Sequence, residues 1–345
     1  MKQSSWKRSL VGIIIALLFV FIAFKDISFS SLIRDALKAN FGILLLTTAV
    51  VLSSHVIRAL RWRVILRELK KEISLIDTWG SVMVGYLANN FVPRLGELVR
   101  AYSTGRLESI SVSGVFGTIV LERLFDMLSA GILFGLALST YSGHITQTFP
   151  FLKFAGFILI AGSVAAGATL YIATTFPKAR GWLMTAVKFL LPKRFHDRAE
   201  DTVGSFLTSF SLLRSPRCML EISIYTAFVW IAYVFTLYIP FFAFGATSGL
   251  TLYDAFILIL ITSIAWMIPT PGAVGVYHLF VSQSLIKLFG VSPDQALAYA
   301  TLTHLFGYVA ITVVGSIFLF AFAQKLKVRS IRRLWQGSEE IEKPH

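Results

Sequence analysis

The sequence is poor in charge and almost without cysteine. Only 14% of its 345 residues are charged and 56% are hydrophobic, whereas about a quarter of a soluble domain is charged. The single Cys218 excludes an intrachain disulfide framework and a cysteine metal cluster. The six histidines show no metal-ligand spacing. We therefore expect no metal site and no cofactor.

Nucleotide and hydrolase motifs are also missing. The sequence has no Walker loop, Gly-x-Ser-x-Gly elbow, dinucleotide fingerprint or His-Glu-x-x-His, so ATP hydrolysis is disfavoured. Long uncharged runs instead recur along the whole chain, which indicates a polytopic membrane protein. The first run, residues 10–24, follows a basic start as in a signal peptide, but no small-x-small cleavage site follows it. We interpret it as an uncleaved helix.

We predict an all-α bundle of about six full spans plus two re-entrant hairpins from opposite faces. The predicted spans are residues 9–24, 41–57, 113–139, 151–174, 221–244 and 296–322. Most basic residues, 23 of 32, lie in segments 58–77, 93–112, 175–220 and 323–345, and the N-terminus adds three. Segments 140–150 and 245–252 hold none. The positive-inside rule then places both termini on the cytoplasmic side of the cell membrane.

The net charge of +14 has two readings, a nucleic-acid partner or an anionic membrane face. Because the basic residues lie in short segments between spans, their distribution favours the membrane. We expect no nucleic-acid partner. The sequence carries no signal for an oligomeric state.

We expect a single membrane domain over residues 1–345. It divides into a first half of about 1–174, an amphipathic elbow at 175–220, a second half at 221–325 and a basic cytoplasmic tail at 326–345. Apolar residues recur at helical spacing in the elbow; they are Val203, Phe206, Leu207, Phe210 and Leu213. This pattern predicts two amphipathic helices on the inner leaflet. The alternative is a pair of elbow helices that join the two halves.

Two apolar stretches are too short to span, since spanning takes about 20 apolar residues. Residues 79–92 run into a first tip at residues 89–97, and residues 255–268 run into a second tip at residues 269–278. Broken segments at matching positions of two halves indicate a transport site near the membrane midplane. Non-helical backbone at that depth needs a protein or watery surround, so the hairpins imply a cavity. The alternatives are an interfacial helix at 79–92 and a Pro-kinked full span at 255–289.

The third predicted span carries Glu122, Arg123 and Asp126, whose spacing places them on one flank of a helix. Charges at this depth cost several kcal/mol unless they pair or meet water. They predict either a polar pathway with a proton-responsive carboxylate or an ion pair that fixes helix packing. Arg58 and Arg61 share one face at the end of the second span. They bind the phosphate of a lipid head group or serve as a cytoplasmic anchor.

The first tip brings amide, guanidinium and carboxylate groups close together. Asn90, Arg94, Glu97 and Arg100 suit a zwitterion or a phosphate, whereas Asn90 also suits a tight turn. Most tip residues are expected to shape the backbone; these are Pro93, Gly96, Pro269, Pro271, Gly272 and Gly275. His278 is the one ionisable group of the second tip, either a pH sensor and phosphate donor or a packed residue.

Four ordered motifs make the chain resemble the flippase-like transmembrane family typified by the membrane domain of lysylphosphatidylglycerol synthases. They are Arg58-x-x-Arg61-Trp62, Asn90-x-x-Pro93-Arg94-x-Gly96-Glu97-x-x-Arg100, Glu122-Arg123-x-x-Asp126 and Pro269-x-Pro271-Gly272-x-x-Gly275. The resemblance covers nearly the whole chain. It implies a bacterial or archaeal inner-membrane protein that moves or handles polar lipids. The family often has Glu where this sequence has His278.

Two-domain members of this family join the membrane half to a soluble aminoacyl-transferase domain. The present sequence ends at His345, soon after the last predicted span, so we expect no such domain and no lysyl transfer by this chain alone. The leading prediction is a translocase or scramblase for phospholipids or other polar lipids. Arg94 and Arg100 then hold the phosphate, while Glu97, Glu122 and Asp126 bind a cationic group or a proton.

The alternative prediction is a lipid-modifying transferase with Glu97 or Glu122 as general base, similar to a phosphatidylglycerol lysyltransferase. A third is a membrane subunit for a separately encoded lipid-modifying enzyme. We assign no catalytic residue.

Overall fold

A computed structural model describes residues 14–25, 29–140, 152–190, 192 and 196–341. Within these ranges the chain forms thirteen α-helices and no strand, which confirms the predicted all-α membrane bundle. Residues 9–13 of the first predicted span and nearly all of the predicted outer loop 140–150 lie outside the described residues.

The helices of the first half are α1 Ile14–Phe24, α2 Phe29–Leu37, α3 Phe41–Leu66, α4 Leu75–Phe91, α5 Leu95–Glu108, α6 Val112–Thr140 and α7 Leu152–Thr175. The elbow contains α8 Pro177–Leu190 and α9 His196–Thr208. The second half contains α10 Pro216–Tyr238, α11 Leu252–Ala265, α12 Val276–Phe289 and α13 Pro293–Ile341. Short 3₁₀ turns occupy Ser211–Arg214, Ile239–Ala243 and Pro271–Ala273.

Among the described residues, five helical segments are long and apolar enough to cross a membrane. They are Phe41–Leu66, Gly156–Thr175, Pro216–Ala243, Pro271–Phe289 and Pro293–Lys327. Helices α1 and α11 are apolar but shorter, and the 29-residue α6 carries the charged residues of the third predicted span. Because Pro271–Phe289 reaches the length of a span, a Pro-kinked full span remains an alternative to the second hairpin. The count of six spans and the re-entrant hairpins stay predictions.

Polar side chains fix the points where several helices begin. The Asn40 side chain accepts hydrogen bonds from Gly42 N at 3.0 Å and Ile43 N at 3.2 Å at the start of α3. Thr251 and Asp254 form a reciprocal capping box at the start of α11. These caps satisfy backbone N–H groups that would otherwise lack partners. The two caps thereby fix where the apolar helices α3 and α11 begin.

Helix α3 runs well beyond the predicted end of the second span at residue 57. It continues to Leu66, so Arg58 and Arg61 lie inside a 26-residue helix instead of after it. Both arginines are buried, at 3% and 0% exposed. A helix tolerates charges at this depth when each finds a partner, and acidic residues of α6 supply those partners.

Three of the apolar clusters in the described residues pack around the helices of this charged region. One joins α2, the first half of α3, α12 and α13, and a second joins the last half of α3 with α4, α5 and α6. The third joins α6 with α7 and α11. Helix α3 packs along α10, α4 pairs with α5, and α13 packs on α4. The charged side chains of α3, α5 and α6 therefore face one another within the bundle.

The elbow forms two helices, and one of them packs on the bundle. In the turn after α9, Ser209 Oγ donates a hydrogen bond to the Gly114 carbonyl of α6 at 2.6 Å, and Phe206 contacts Phe116. Helix α8 instead exposes Trp182 and Phe189 almost fully. The contacts of α9 favour a connecting elbow, while the placement of α8 on the inner leaflet stays a prediction.

Helix α13 is a single helix of 49 residues. The predicted tail at 326–345 therefore begins as a continuation of the last span. Lys325 Nζ binds the buried Asp77 carboxylate of α4 at 2.5 Å, which joins this end of α13 to the start of α4.

An ion pair also joins the loop after α3 to the end of α5. Lys70 Nζ binds Glu108 Oε2 at 2.5 Å, and Ser74 N donates to Glu108 Oε1 at 3.0 Å. Burial raises the pKa of Glu108, but these hydrogen bonds outweigh burial and hold the pKa below its usual value. The pair therefore stabilises the fold while the carboxylate is ionised.

We expect Glu108→Gln to lower the free energy of unfolding by about 1–2 kcal/mol at pH 7. A depressed folded-state pKa gives stabilisation that is present above the ordinary carboxyl pKa of about 4.3 and lost as the pH falls through the folded value. Thermal unfolding in detergent from pH 7 to pH 3 would measure this. The variant should lose its disadvantage at the acid end, and a gap that is constant with pH would contradict the assignment.

Candidate functional site

Glu122 of α6 lies at the centre of a buried cluster of arginines. Arg58 Nε donates to Glu122 Oε1 at 2.7 Å and Arg61 Nη2 donates to the same oxygen at 3.2 Å. Arg100 Nη2 donates to Glu122 Oε2 at 2.6 Å. The carboxylate is fully buried. One side chain of α6 is thus bound by guanidinium groups from α3 and α5.

Asp126 extends the cluster one helical turn further along α6. Arg61 Nη2 binds Asp126 Oδ1 at 2.6 Å, and Arg123 Nη1 binds Asp126 Oδ2 at 3.3 Å. Arg123 Nη2 lies 3.8 Å from Glu97 Oε1 on α5. Asp126, Arg123 and Glu97 are partly exposed. They form an open edge beside the buried arginines.

Aromatic and hydroxyl side chains that the sequence analysis did not assign to the site hold the arginines in place. Arg100 stacks on the ring of Trp62 at 3.6 Å, and Trp62 Nε1 donates to Thr118 Oγ1 at 2.9 Å. The Tyr86 hydroxyl contacts Arg58 Nη1, and Arg61 Nη1 donates to Thr226 Oγ1 at 3.2 Å. The role of Trp62 could have been predicted from the sequence, since it follows Arg61 directly. Tyr86 and Thr226 had no such signal.

Positive charge exceeds negative charge in the cluster. Four guanidinium groups face three carboxylates, which leaves a formal excess of one positive charge. The Nε atoms of Arg61, Arg100 and Arg123 are buried and have no hydrogen-bond partner among the described residues, and the same holds for one acceptor, Glu97 Oε2. Buried donors of this kind favour an added acceptor, and guanidinium groups suit phosphate. The cluster is therefore chemically suited to an anion.

The two predicted tips contact one another. Arg94 Nη2 of the first tip donates to the Met267 carbonyl at 2.7 Å, just before the second tip. Asn90 Nδ2 donates to Thr312 Oγ1 of α13 at 3.0 Å. Gly272, with φ of 54°, is packed so closely that an added Cβ would lie 3.1 Å from Asn90 Oδ1. The first and second tips thus share one interface, with α13 beside it.

The His278 side chain accepts a hydrogen bond from the backbone of the second tip. Gly275, with φ of 80°, donates its N–H to His278 Nδ1 at 3.3 Å, so the imidazole acts as an acceptor at the start of α12. The buried ring and this local role favour the packed-residue interpretation. His304 of α13, which the sequence analysis did not select, donates from Nε2 to the Gly272 carbonyl at 2.9 Å.

The predicted site residues therefore fall into two groups. The charged cluster gathers Arg58, Arg61, Glu97, Arg100, Glu122, Arg123 and Asp126. The tip interface contains Asn90, Arg94 and Gly272. The other predicted tip residues lie within their own turns: Pro93 and Gly96 in the first, and Pro269, Pro271, Gly275 and His278 in the second, where Gly275 packs against α1. Arg94 and Arg100, predicted to act together, take separate partners: a carbonyl at the tip and Glu122. No group of three or more metal-ligating side chains occurs in the described parts of the chain.

These features describe an all-α, multi-pass membrane protein with a buried arginine–carboxylate cluster beside two interacting turns. The chain belongs to the family described as the lysylphosphatidylglycerol synthase TM region, which matches residues 9–315. No solved structure matches the chain.

Archaeal membrane proteins are among its relatives. A UPF0104 membrane protein of Methanothermobacter thermautotrophicus is 28% identical over 82% of this chain and 86% of its own length. One of Pyrococcus horikoshii is 24% identical over 83% of this chain and 88% of its own. Glycosyltransferase AglD of Haloferax volcanii is 23% identical over 76% of this chain, but the match covers only 46% of that protein.

Removal of the Glu122 carboxylate should lower the stability of the protein strongly. Glu122→Ala leaves three buried guanidinium groups facing one another, so we expect a loss of about 3–5 kcal/mol in stability. Glu221→Ala breaks the exposed pair with Arg67 and should cost less than about 1 kcal/mol. Thermal unfolding of both purified variants in detergent measures the difference. Equal losses would show that Glu122 is not the centre of the cluster.

Proposed function

We propose that this protein binds polar phospholipid-type lipids at the charged cluster and translocates them across the cytoplasmic membrane. The observation that carries the proposal is the excess of buried guanidinium groups within an apolar helix bundle. Such charges are costly in a membrane and usually mark a pathway. A lipid phosphate supplies the negative charge that the cluster's own carboxylates do not provide.

The open edge suggests how the head group enters. Glu97, Arg123 and Asp126 are partly exposed, whereas Arg58, Arg61 and Arg100 lie behind them. A phosphate that passes this edge meets Arg100 and the unpaired Nε donors, while the acyl chains stay in the bilayer. The carboxylates of the edge are placed to bind a cationic part of the head group or a proton.

The tip interface is the proposed moving part. Arg94 bonds to the Met267 carbonyl with its backbone at φ of 65°, in the left-handed region that is unfavourable for a residue with a side chain. Two hydrogen bonds hold the first tip in place, one from Arg94 to the Met267 carbonyl and one from Asn90 to Thr312 of α13. We propose that the tips enter from opposite faces as re-entrant hairpins, with both termini cytoplasmic, and that their separation alternates access to the cluster.

The hairpin arrangement is testable by cysteine accessibility in a Cys218→Ser background. Asn90→Cys should react with a membrane-impermeant thiol reagent from the cytoplasmic side, and Ala273→Cys from the outside. Both should react more slowly than the exposed controls Lys71→Cys and Ser248→Cys, because the tips are enclosed by protein. Reaction of both tips from one side only would contradict opposed hairpins.

Translocation is testable with purified protein in liposomes that contain fluorescent phosphatidylglycerol or phosphatidylcholine. The wild-type chain should move lipid faster than empty liposomes do, and Arg100→Gln should slow the rate about tenfold through loss of one charge-assisted phosphate contact. Arg106→Gln, on the exposed side of the same helix, should keep the wild-type rate. A wild-type rate equal to that of empty liposomes for both lipids would reject the proposal.

A second candidate is a membrane subunit that presents lipid to a separate lipid-modifying enzyme. The similarity to glycosyltransferase AglD favours it, because that relative is named as a transferase. Co-purification of a transferase from native membranes, with no lipid movement by the isolated chain, would favour this candidate over translocation.

A further inference from the structure

A histidine beside the charged cluster has no role in the contacts described above. His55 lies on α3, three residues before Arg58, and is only 6% exposed. Neither of its ring nitrogens has a hydrogen-bond partner among the described residues. Leaving a buried polar group unpaired is unfavourable, so this position calls for a polar ligand.

The His55 ring lies at the end of the cluster that is farther from Leu66, the last residue of α3. Its centroid is 4.5 Å from that of Tyr86, whose hydroxyl contacts Arg58. Residues three apart on a helix share a face, so His55 and Arg58 point to the same side of α3. His55 is eleven residues from the end of α3 at Leu66, a rise of about 16 Å, while Arg58 lies about 12 Å from that end. A head group bound to Arg58 reaches His55 one turn further in.

The chemistry of the imidazole differs from that of the arginines. Guanidinium groups are donors only, whereas a neutral imidazole offers one donor and one acceptor. A phosphate uses donors alone, so the acceptor serves a ligand group that carries its own O–H or N–H. A cationic ammonium is disfavoured at His55 itself, because the charged side chain next to it on this face of α3 is Arg58. A neutral hydroxyl satisfies both ring nitrogens without adding charge.

We infer that His55 forms a subsite for the hydroxyl groups of a polyol or sugar head group that is esterified to the bound phosphate. The inference rests on the proposed function for the phosphate site and adds the class of substrate: hydroxyl-bearing anionic lipids. Tyr86 lies between the two subsites, because its ring contacts His55 and its hydroxyl contacts Arg58.

The test compares two short-chain lipids of equal charge, phosphatidylglycerol and phosphatidylethanol, of which only the first has head-group hydroxyls. Competitive binding to the purified full chain in detergent, read by native mass spectrometry, should favour phosphatidylglycerol about fivefold, the value of one ordinary hydrogen bond. His55→Phe keeps a ring in contact with Tyr86 but should abolish the preference. His55→Gln, which keeps a donor and an acceptor, should retain part of it. Thr48→Val, on the same helix, should bind as the wild type does.

The outcomes separate this inference from the proposed function. Equal binding of the two lipids by the wild type, as when the ring pairs with water only, overturns the inference even where lipid movement is observed. A preference that survives in His55→Phe overturns it as well. A preference lost in His55→Phe, in a protein that moves no lipid in liposomes, supports the subsite and rejects translocation. Because the wild-type comparison stands alone, the test holds even if a variant fails to fold.

Discussion

The attraction between one carboxylate and three buried guanidinium groups determines how this bundle can be assembled. Glu122 binds Arg58 and Arg61 of α3 and Arg100 of α5. The helices α3, α5 and α6 therefore meet at this one side chain. Without that carboxylate the arginines would repel one another in a low-dielectric interior. Helix α3 continues past the predicted membrane boundary, and the buried arginines in that continuation are compensated by Glu122 and Asp126 of α6.

The charged cluster and the tips are linked through α5. The helix begins at Leu95, directly after Arg94, and carries Arg100 less than two turns later. A displacement of the first tip therefore moves the start of the helix that holds Arg100. Trp62 lies under Arg100 and limits the positions that the guanidinium group can take. Binding at the cluster and the arrangement of the tips are thus mechanically connected without a long path between them.

Spacing along the sequence predicted which charged residues share a helix face, but not which helices would meet. The four-residue interval between Glu122 and Asp126, and the three-residue interval between Arg58 and Arg61, follow from helical geometry. The pairing of Arg100 with Glu122 depends on how α5 packs on α6, which local pattern does not encode. Arg94 bonds to the Met267 carbonyl from a left-handed backbone conformation. This conformation is seldom expected of arginine.

The aromatic and hydroxyl partners were harder to anticipate. Tyr86 and His304 lie in apolar helices where the same residue types usually serve packing, so only their contacts in the folded chain reveal a polar role. The all-α membrane architecture, by contrast, was readable from long uncharged runs and their basic flanks, because the bilayer restricts what can cross it.

The unbroken course of α13 has a mechanical consequence. At 1.5 Å per residue its 49 residues extend about 74 Å, well beyond the thickness of a bilayer. Thr312 contacts Asn90, His304 contacts Gly272, and Lys325 binds Asp77. Because α13 is one continuous helix with these three contacts, a tilt of its end outside the lipid would shift the first and second tips together.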